Sequence, residues 1–240
     1  MPAISATRVL LDIEGTTTSS TYVFGVLYPY ARQRIRDYLN RHWADAELQR
    51  ALQRVAEDAG CPSVTRFCHG RRDVMAAHLE SLMDAHSKTT GVKEVQGILW
   101  RQGFLSGELR SHLFDDVCEV LPQWKESGCD LRVYSSGSAA AQRLFFAHTI
   151  AGDLLPLFSG HYDTRIGPKQ EPDSYRRIVE DWGVAAGEIV FLSDVVAELD
   201  AAAEAGMATV LVRRPGSTAP NDGHSHVVIG SFDELTLRVS

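Results

Sequence analysis

Two carboxylates, Asp12 and Glu14, stand at the exit of an apolar run in RVLLDIEGTTT (residues 8–18), where the chain breaks into a glycine and three threonines. Two further apolar stretches end in polar residues, and a loop adds a lysine. LRVY is followed by Ser135 and Ser136 in SSGS, EIVFL by Ser193 and Asp194, and the loop GPKQEP carries Lys169. Carboxylates gathered at one place repel, so a shared site implies raised pKa values or a bound cation. An all-oxygen donor set favours Mg²⁺, which keeps several waters and accepts a phosphate oxygen as a further ligand. A lysine beside the acids would neutralise that phosphate, and SSGS, opening a helix, offers hydroxyls and N–H groups to an anion. Asp12 then reads as a nucleophile attacking phosphorus to give an aspartyl-phosphate. Glu14, two residues along an extended chain, faces the same side and could protonate the leaving oxygen, then activate water. Asp194 would hold the metal, and Mg²⁺ with Lys169 would stabilise charge on the transferring phosphoryl group.

For these residues to meet, the elements before them must be neighbouring strands. Segments 131–135, 188–194, 208–214 and 226–230 are short, β-branched and bounded by Gly, Asp or Ser, and so read as strands, while GHYDT (160–164) stands isolated. Segments 138–149, 172–183 and 196–206 between them have helical composition, and the last two end at glycine. Such alternation predicts an α/β fold, Rossmann-like and doubly wound around a mainly parallel sheet, which binds ligands at the carboxyl ends of its strands.

Residues 19 to about 112 contain no convincing strand, and helices are expected near 29–43, 45–60, 72–86 and 92–110. The expected organisation is a catalytic core of residues 1–18 and 113–240 with an inserted all-α helical cap at 19–112. In 115–128, Pro122 predicts a helix that starts at or kinks near that residue, with Cys118, Val120 and Trp124 packed on the sheet.

The 240 residues, 44% hydrophobic, suffice for a real core, and the formal charge of −7 with only isolated basic pairs argues against a nucleic-acid partner. No stretch has the length of a membrane span or the pattern of a signal peptide, so no membrane partner and a cytoplasmic location are expected. Cys61, Cys68, Cys118 and Cys129 show no CxxC spacing, and nothing completes a zinc site around Cys68–His69, so free thiols are expected.

In this order, Asp12–Glu14, Ser135, Lys169 and Asp194 resemble the four motifs of the haloacid dehalogenase superfamily. LLDIEGTTT, with glutamate where most of its phosphatases have aspartate, resembles the enolase-phosphatase (acireductone synthase) family of methionine salvage. Further matches are VYSSGSAAAQRLFF (133–146), GHYDTRIGPKQEPDSY (160–175), FLSDVVAELDAA (191–202) and QGILWRQGFLSGEL (96–109), so the similarity covers nearly the whole chain. It implies a Mg²⁺-dependent enzyme that enolises 2,3-diketo-5-methylthiopentyl-1-phosphate, then dephosphorylates it to 1,2-dihydroxy-3-keto-5-methylthiopentene, the acireductone; a monomer acting on this small molecule is expected. It maps Asp12, Glu14 (through its carbonyl) and Asp194 to the metal, and Ser135, Ser136 and Lys169 to substrate. The cap would close over the crevice, with Trp100, Phe104 and Tyr22 as candidate contacts to the methylthio end, although the helical spacing of Trp100 and Phe104 more often marks residues of a core. A plain phosphomonoesterase of the same superfamily, a hydrolytic dehalogenase and a phospho-accepting signalling receiver are the alternatives. Receivers have about half this length and no cap.

Overall fold

A computed structural model describes residues 1–215 and 223–238. Along the chain the strands are β1 (Ala3–Ser5), β2 (Arg8–Leu11), β3 (Asp130–Tyr134), β4 (Phe158–Tyr162), β5 (Ile189–Ser193), β6 (Ala208–Val212), β7 (Val227–Ile229) and β8 (Thr236–Arg238). The helices are α1 (Ser20–Tyr22), α2 (Tyr28–His42), α3 (Ala46–Asp58), α4 (Val64–Cys68), α5 (Arg72–Asp84), α6 (Thr90–Ser106), α7 (Asp115–Glu126), α8 (Ala139–Ala147), α9 (Pro172–Trp182) and α10 (Val196–Glu204), with a π-helical turn at Val23–Leu27. The chain divides into two compact units, one of Met1–Ser20 with Arg110–Ser240 and one of Thr21–Leu109.

In the first unit the described residues form a parallel sheet in the order β4-β3-β2-β5-β6-β7. Val9, Leu10 and Leu11 are wholly buried, as a strand covered on both faces requires. Leu11 pairs with Val133 on one side and with Leu192 on the other. The residues that follow β2, β3 and β5 therefore emerge side by side at the same end of the sheet. Because β3 and β5 lie on opposite sides of β2, the chain reverses its winding direction there, which is where an open α/β sheet places its ligand crevice. Helices α9 and α10 bury Tyr175, Ile178, Trp182 and Leu199 against Leu10 and Phe191.

Three local features differ from the sequence expectation. GHYDT, read as isolated, overlaps β4, whose frame begins at the buried Phe158 and ends at Tyr162. It forms the edge strand, where glycine is tolerated, and the missing side chain at Gly160 makes room for Arg132, since a Cβ there would lie 2.7 Å from Arg132 Cδ. The termini add a small parallel pair, β1 with β8, too short to be seen in the pattern. Pro122 neither starts nor ends α7, which runs through it. The proline deprives the Cys118 carbonyl of one helical hydrogen bond, and the buried Val117, Val120, Leu121 and Trp124 hold both halves in place. Trp124 stacks on Phe232 at 5.3 Å.

The second unit is helical. Ala31, Ile35 and Leu39, one turn apart on α2, are wholly buried in a core with Leu52, Leu79 and Leu99. Phe104 is buried, Tyr22 nearly so, and Trp100 packs on this core while its Nε1 donates to the Leu27 carbonyl at 2.7 Å. Asp45 occupies the N-cap position of α3, but its carboxylate bonds His42 at 2.8 Å rather than a helix N–H. Among the described residues no helix is long and apolar enough to cross a membrane. The four cysteines are free thiols.

Pro122→Ala supplies the missing donor to Cys118. Alanine is about 3 kcal/mol better than proline in a helix interior, less the entropy that proline removes from the unfolded chain, so unfolding free energy should rise by about 1–2 kcal/mol. Urea denaturation reads this directly, and a lowered midpoint would contradict it.

Candidate active site

Beyond β2 the chain makes a tight turn built on one carbonyl. The N–H groups of Thr16, Thr17 and Thr18 converge on Ile13 O at 3.3, 2.9 and 3.0 Å, and Gly15 N donates to Thr18 O at 2.8 Å. Thr17 Oγ1 donates to Ile13 O at 3.0 Å and to Asp12 O at 3.3 Å. All three threonines are fully buried, so the run TTT serves the turn rather than the surface. The turn needs glycine at position 15, where φ is +75° and a Cβ would overlap Asp194 Oδ2. This close approach sets the Asp194 carboxylate against the Asp12–Gly15 backbone.

Lys169 arrives from a loop whose carbonyls are held one after another. Tyr134 OH donates to Gly167 O at 2.9 Å, Ser174 Oγ to Pro168 O at 2.7 Å and Tyr175 OH to Lys169 O at 2.7 Å. Its side chain is only 9% exposed, and its ammonium lies 2.6 Å from Asp12 Oδ1 and 2.5 Å from Glu198 Oε2. Burial works against its charge, but the two carboxylates outweigh it and hold the lysine above its usual pKa. The acids show the complementary strain. Burial, then the charge of Asp12, pushes Asp194 up to about 6, with Glu14 adding to the rise and Lys169 opposing it. Burial and Asp12 likewise push Glu198 up to about 7, although it accepts from Lys169 and from Ser193 Oγ at 3.0 Å.

Ser135 follows β3, is 8% exposed and anchors its N–H on Tyr162 O at 3.2 Å, while the next residue, Ser136, is exposed. Gln142 Nε2 ties the segment down through Gly137 O at 2.8 Å and Tyr162 O at 2.7 Å. The expectation of free N–H groups at the start of α8 narrows here. Ala139 N donates to Asp163 Oδ2 at 3.0 Å and Ala141 N to the capping Ser138 Oγ at 3.2 Å, so both are engaged within the protein.

The structure thus brings Lys169 onto Asp12 and sets Asp194 within the field of Asp12, Glu14 and Lys169; Ser135 and Ser136 leave the sheet at the same end. Sequence reading passed over two residues. Glu198 lies four positions after Asp194, in the first turn of α10, a spacing that could have flagged it. Arg214, two residues past β6, donates through Nε to Thr16 O at 2.9 Å, and an isolated basic pair gave no hint of its burial.

Among the described residues no three His, Cys, Asp or Glu side chains form a ready metal cage. Two carboxylates and a main-chain carbonyl, the set attributed to Asp12, Asp194 and Glu14, would use fewer side chains than that. Their chemistry fits a hard divalent cation, because the donors are all oxygen and Asp194 is held up by burial and a neighbouring negative charge that a cation would offset.

A buried acid whose folded pKa is raised costs stability once ionised. In metal-free protein, Asp194 binds its proton more tightly folded than unfolded, so its contribution to stability falls as pH rises from about 4 to about 6 and is then level. Asp194→Asn should therefore stabilise the metal-free protein by roughly 1–3 kcal/mol at pH 8, with the gain vanishing towards pH 4. Urea melts of both proteins in chelator across that range check it, and a gain independent of pH would refute the assignment.

The sequence profile of the haloacid dehalogenase-like hydrolases matches residues 7–206. Curated relatives named Enolase-phosphatase E1 include those of Streptomyces avermitilis, 46% identical over 97% of this chain and 95% of theirs, and of Synechococcus elongatus, 43% identical over 97% and 98%. That of Drosophila mojavensis is 42% identical over 97% and 96%. The crystal structure of the UTR4 protein of Saccharomyces cerevisiae superposes with a TM-score of 0.81 at 29% identity, covering 95% of this chain and 99% of that one. The carboxylate–lysine cluster at the sheet's carboxyl end and this full-length kinship agree: the chain belongs to the enolase-phosphatase family of haloacid dehalogenase-like hydrolases.

Proposed function

We propose that the protein converts 2,3-diketo-5-methylthiopentyl-1-phosphate to the acireductone of methionine salvage by enolisation and then phosphate hydrolysis. The observation that carries the phosphatase half is the contact of Asp12 with Lys169, 157 positions apart in sequence yet 2.6 Å apart in a buried site. The glutamate at position 14, shared with the motif of this family, carries the enolase half.

The substrate phosphate would rest against Ser135 and Ser136, with Lys169 both orienting Asp12 and facing the phosphoryl oxygens with positive charge. An Asp12 oxygen attacks phosphorus in line and the ester P–O bond breaks. Glu14 gives its proton to the leaving oxygen. Glu14 then takes a proton from water, whose oxygen attacks the aspartyl-phosphate and releases Asp12 and inorganic phosphate. In the earlier stage Glu14 takes the proton from carbon 1 while the C–H electron pair shifts towards the neighbouring carbonyl, whose oxygen takes a proton from solvent. Glu14 so enters the second stage protonated, returns its last proton to solvent, and serves both stages. Mg²⁺, held by Asp12, Asp194 and the Glu14 carbonyl, would supply Lewis acidity when bound. Small-molecule chemistry by a monomer, with neither nucleic acid nor membrane as partner, completes this reading.

The diketone and the enol can be followed by absorbance and phosphate by its release. Glu14→Gln should slow both stages by about 10²–10⁴-fold, the usual worth of a positioned general acid–base. Enol formation at the wild-type rate with phosphate release lost would remove Glu14 from the first stage. Phosphate released without any enol would leave only a plain phosphomonoesterase. Chelation should abolish turnover and added Mg²⁺ restore it.

A further inference from the structure

Arg214 is a costly residue to place where it lies. Its side chain is only 6% exposed, and burial pulls its pKa below the usual arginine value. The guanidinium is sandwiched between Phe114 and Phe232, with Cζ 4.3 and 4.9 Å from the ring centroids. Its Nη1 meets Asp116 Oδ2 at 2.8 Å and Gly230 O at 3.3 Å, and the same carboxylate oxygen accepts from Phe232 N at 2.6 Å. Asp116 is thereby fixed from two sides. From this braced position Nε reaches Thr16 O at 2.9 Å.

An aliphatic side chain would fill a slot between two phenylalanines without the expense of a buried charge. What arginine adds is a planar set of donors whose directions cannot vary independently. With Nη1 fixed by Asp116, Nε has one place to point, and it points at the turn that carries Asp12 and Glu14. The next carbonyl, Thr17 O, is taken by Phe114 N at 3.1 Å. The N–H groups of residues 16–18 face inward to Ile13 O, while the carbonyls of Thr16 and Thr17 are tied to the segment after β6 and to Phe114, which caps α7. We infer that Arg214 is a positioning residue for the catalytic turn Asp12–Thr18, set there by Asp116 and acting through the Thr16 carbonyl. This rests on the proposed roles of Asp12 and Glu14, and the clamp itself can be tested apart from them.

The test compares wild type with Arg214→Lys and Arg214→Met, full-length, by amide hydrogen exchange and by steady-state kinetics at saturating Mg²⁺. Lysine keeps the charge without the fork, and methionine keeps only the stem. Peptides spanning 12–18 should exchange at least about tenfold faster in both variants. Phosphate release should fall in kcat by about 10–100-fold for lysine and further for methionine, with KM within about twofold, as expected when reacting groups are misplaced but substrate binding is intact. A variant that melts lower yet keeps kcat within twofold of wild type, or one whose exchange at 12–18 is unchanged, overturns the inference. Should neither Arg214 variant fold, Asp116→Asn, which loosens the guanidinium without removing it, is expected to give the same pattern at about three- to tenfold, and unchanged kcat there overturns the inference equally. If wild type releases no phosphate, the functional reading falls and exchange at 12–18 alone decides the clamp.

Discussion

A lysine ammonium buried between two carboxylates organises the carboxyl end of the sheet. Taking such a charge out of water costs several kcal/mol, which is recovered only with close, well-oriented partners. Lys169 has them in Asp12 and Glu198, and the loop that delivers it is held by Tyr134, Ser174 and Tyr175 at three successive carbonyls. With Asp194 included, however, three carboxylates face one ammonium. The imbalance appears where it should, in the two acids whose protonated forms burial and Asp12 favour, Asp194 and Glu198. A site so arranged is electrostatically incomplete and favours an added positive charge.

The sheet order explains why four segments so far apart in sequence supply one cluster. Right-handed parallel crossovers return each strand to the same direction, so every strand ends on the same side. Winding from β2 to β3 and β4, then back across to β5, puts β2 at the reversal with neighbours of different origin on its flanks. Asp12 follows that strand, and the register of Leu11 with both Val133 and Leu192 brings Ser135 and Asp194 out at the same end, one residue beyond it. A one-residue slip in either pairing would turn these residues to the other face.

Legibility in the sequence followed how local the signal was. The apolar strands β2, β3, β5 and β6 declare themselves by composition, and Asp12, Glu14, Ser135 and Asp194 follow from being polar residues within three positions of the end of an apolar run. β4 was obscured because glycine and histidine fill a strand whose edge position demands less of its sequence. α7 runs through Pro122 because tertiary burial of its apolar face outweighs one missing hydrogen bond, a balance that local propensity cannot reveal. Glu198 and Arg214 were missed for a related reason. Each is an ordinary charged residue by its neighbours, and only the fold gives one a buried lysine and the other a carbonyl 198 positions away.

The turn after β2 has two faces with different demands. One carries the charge cluster, where Asp12 is fixed by Lys169 and Asp194 is set against Gly15. The other is packing and hydrogen bonds, with three buried threonines, Phe114 and Arg214 gripping the backbone. With both faces constrained, the turn itself has little freedom to follow a substrate whose reacting atom changes from carbon to an ester oxygen. Glu14 is half-buried and has one more methylene than an aspartate would, a reach longer by roughly 1.5 Å with one more rotatable bond. In the proposed reaction that extra torsion lets one carboxylate meet two different protons from a fixed backbone, which makes the rigidity of the turn and the length of its glutamate two halves of one requirement.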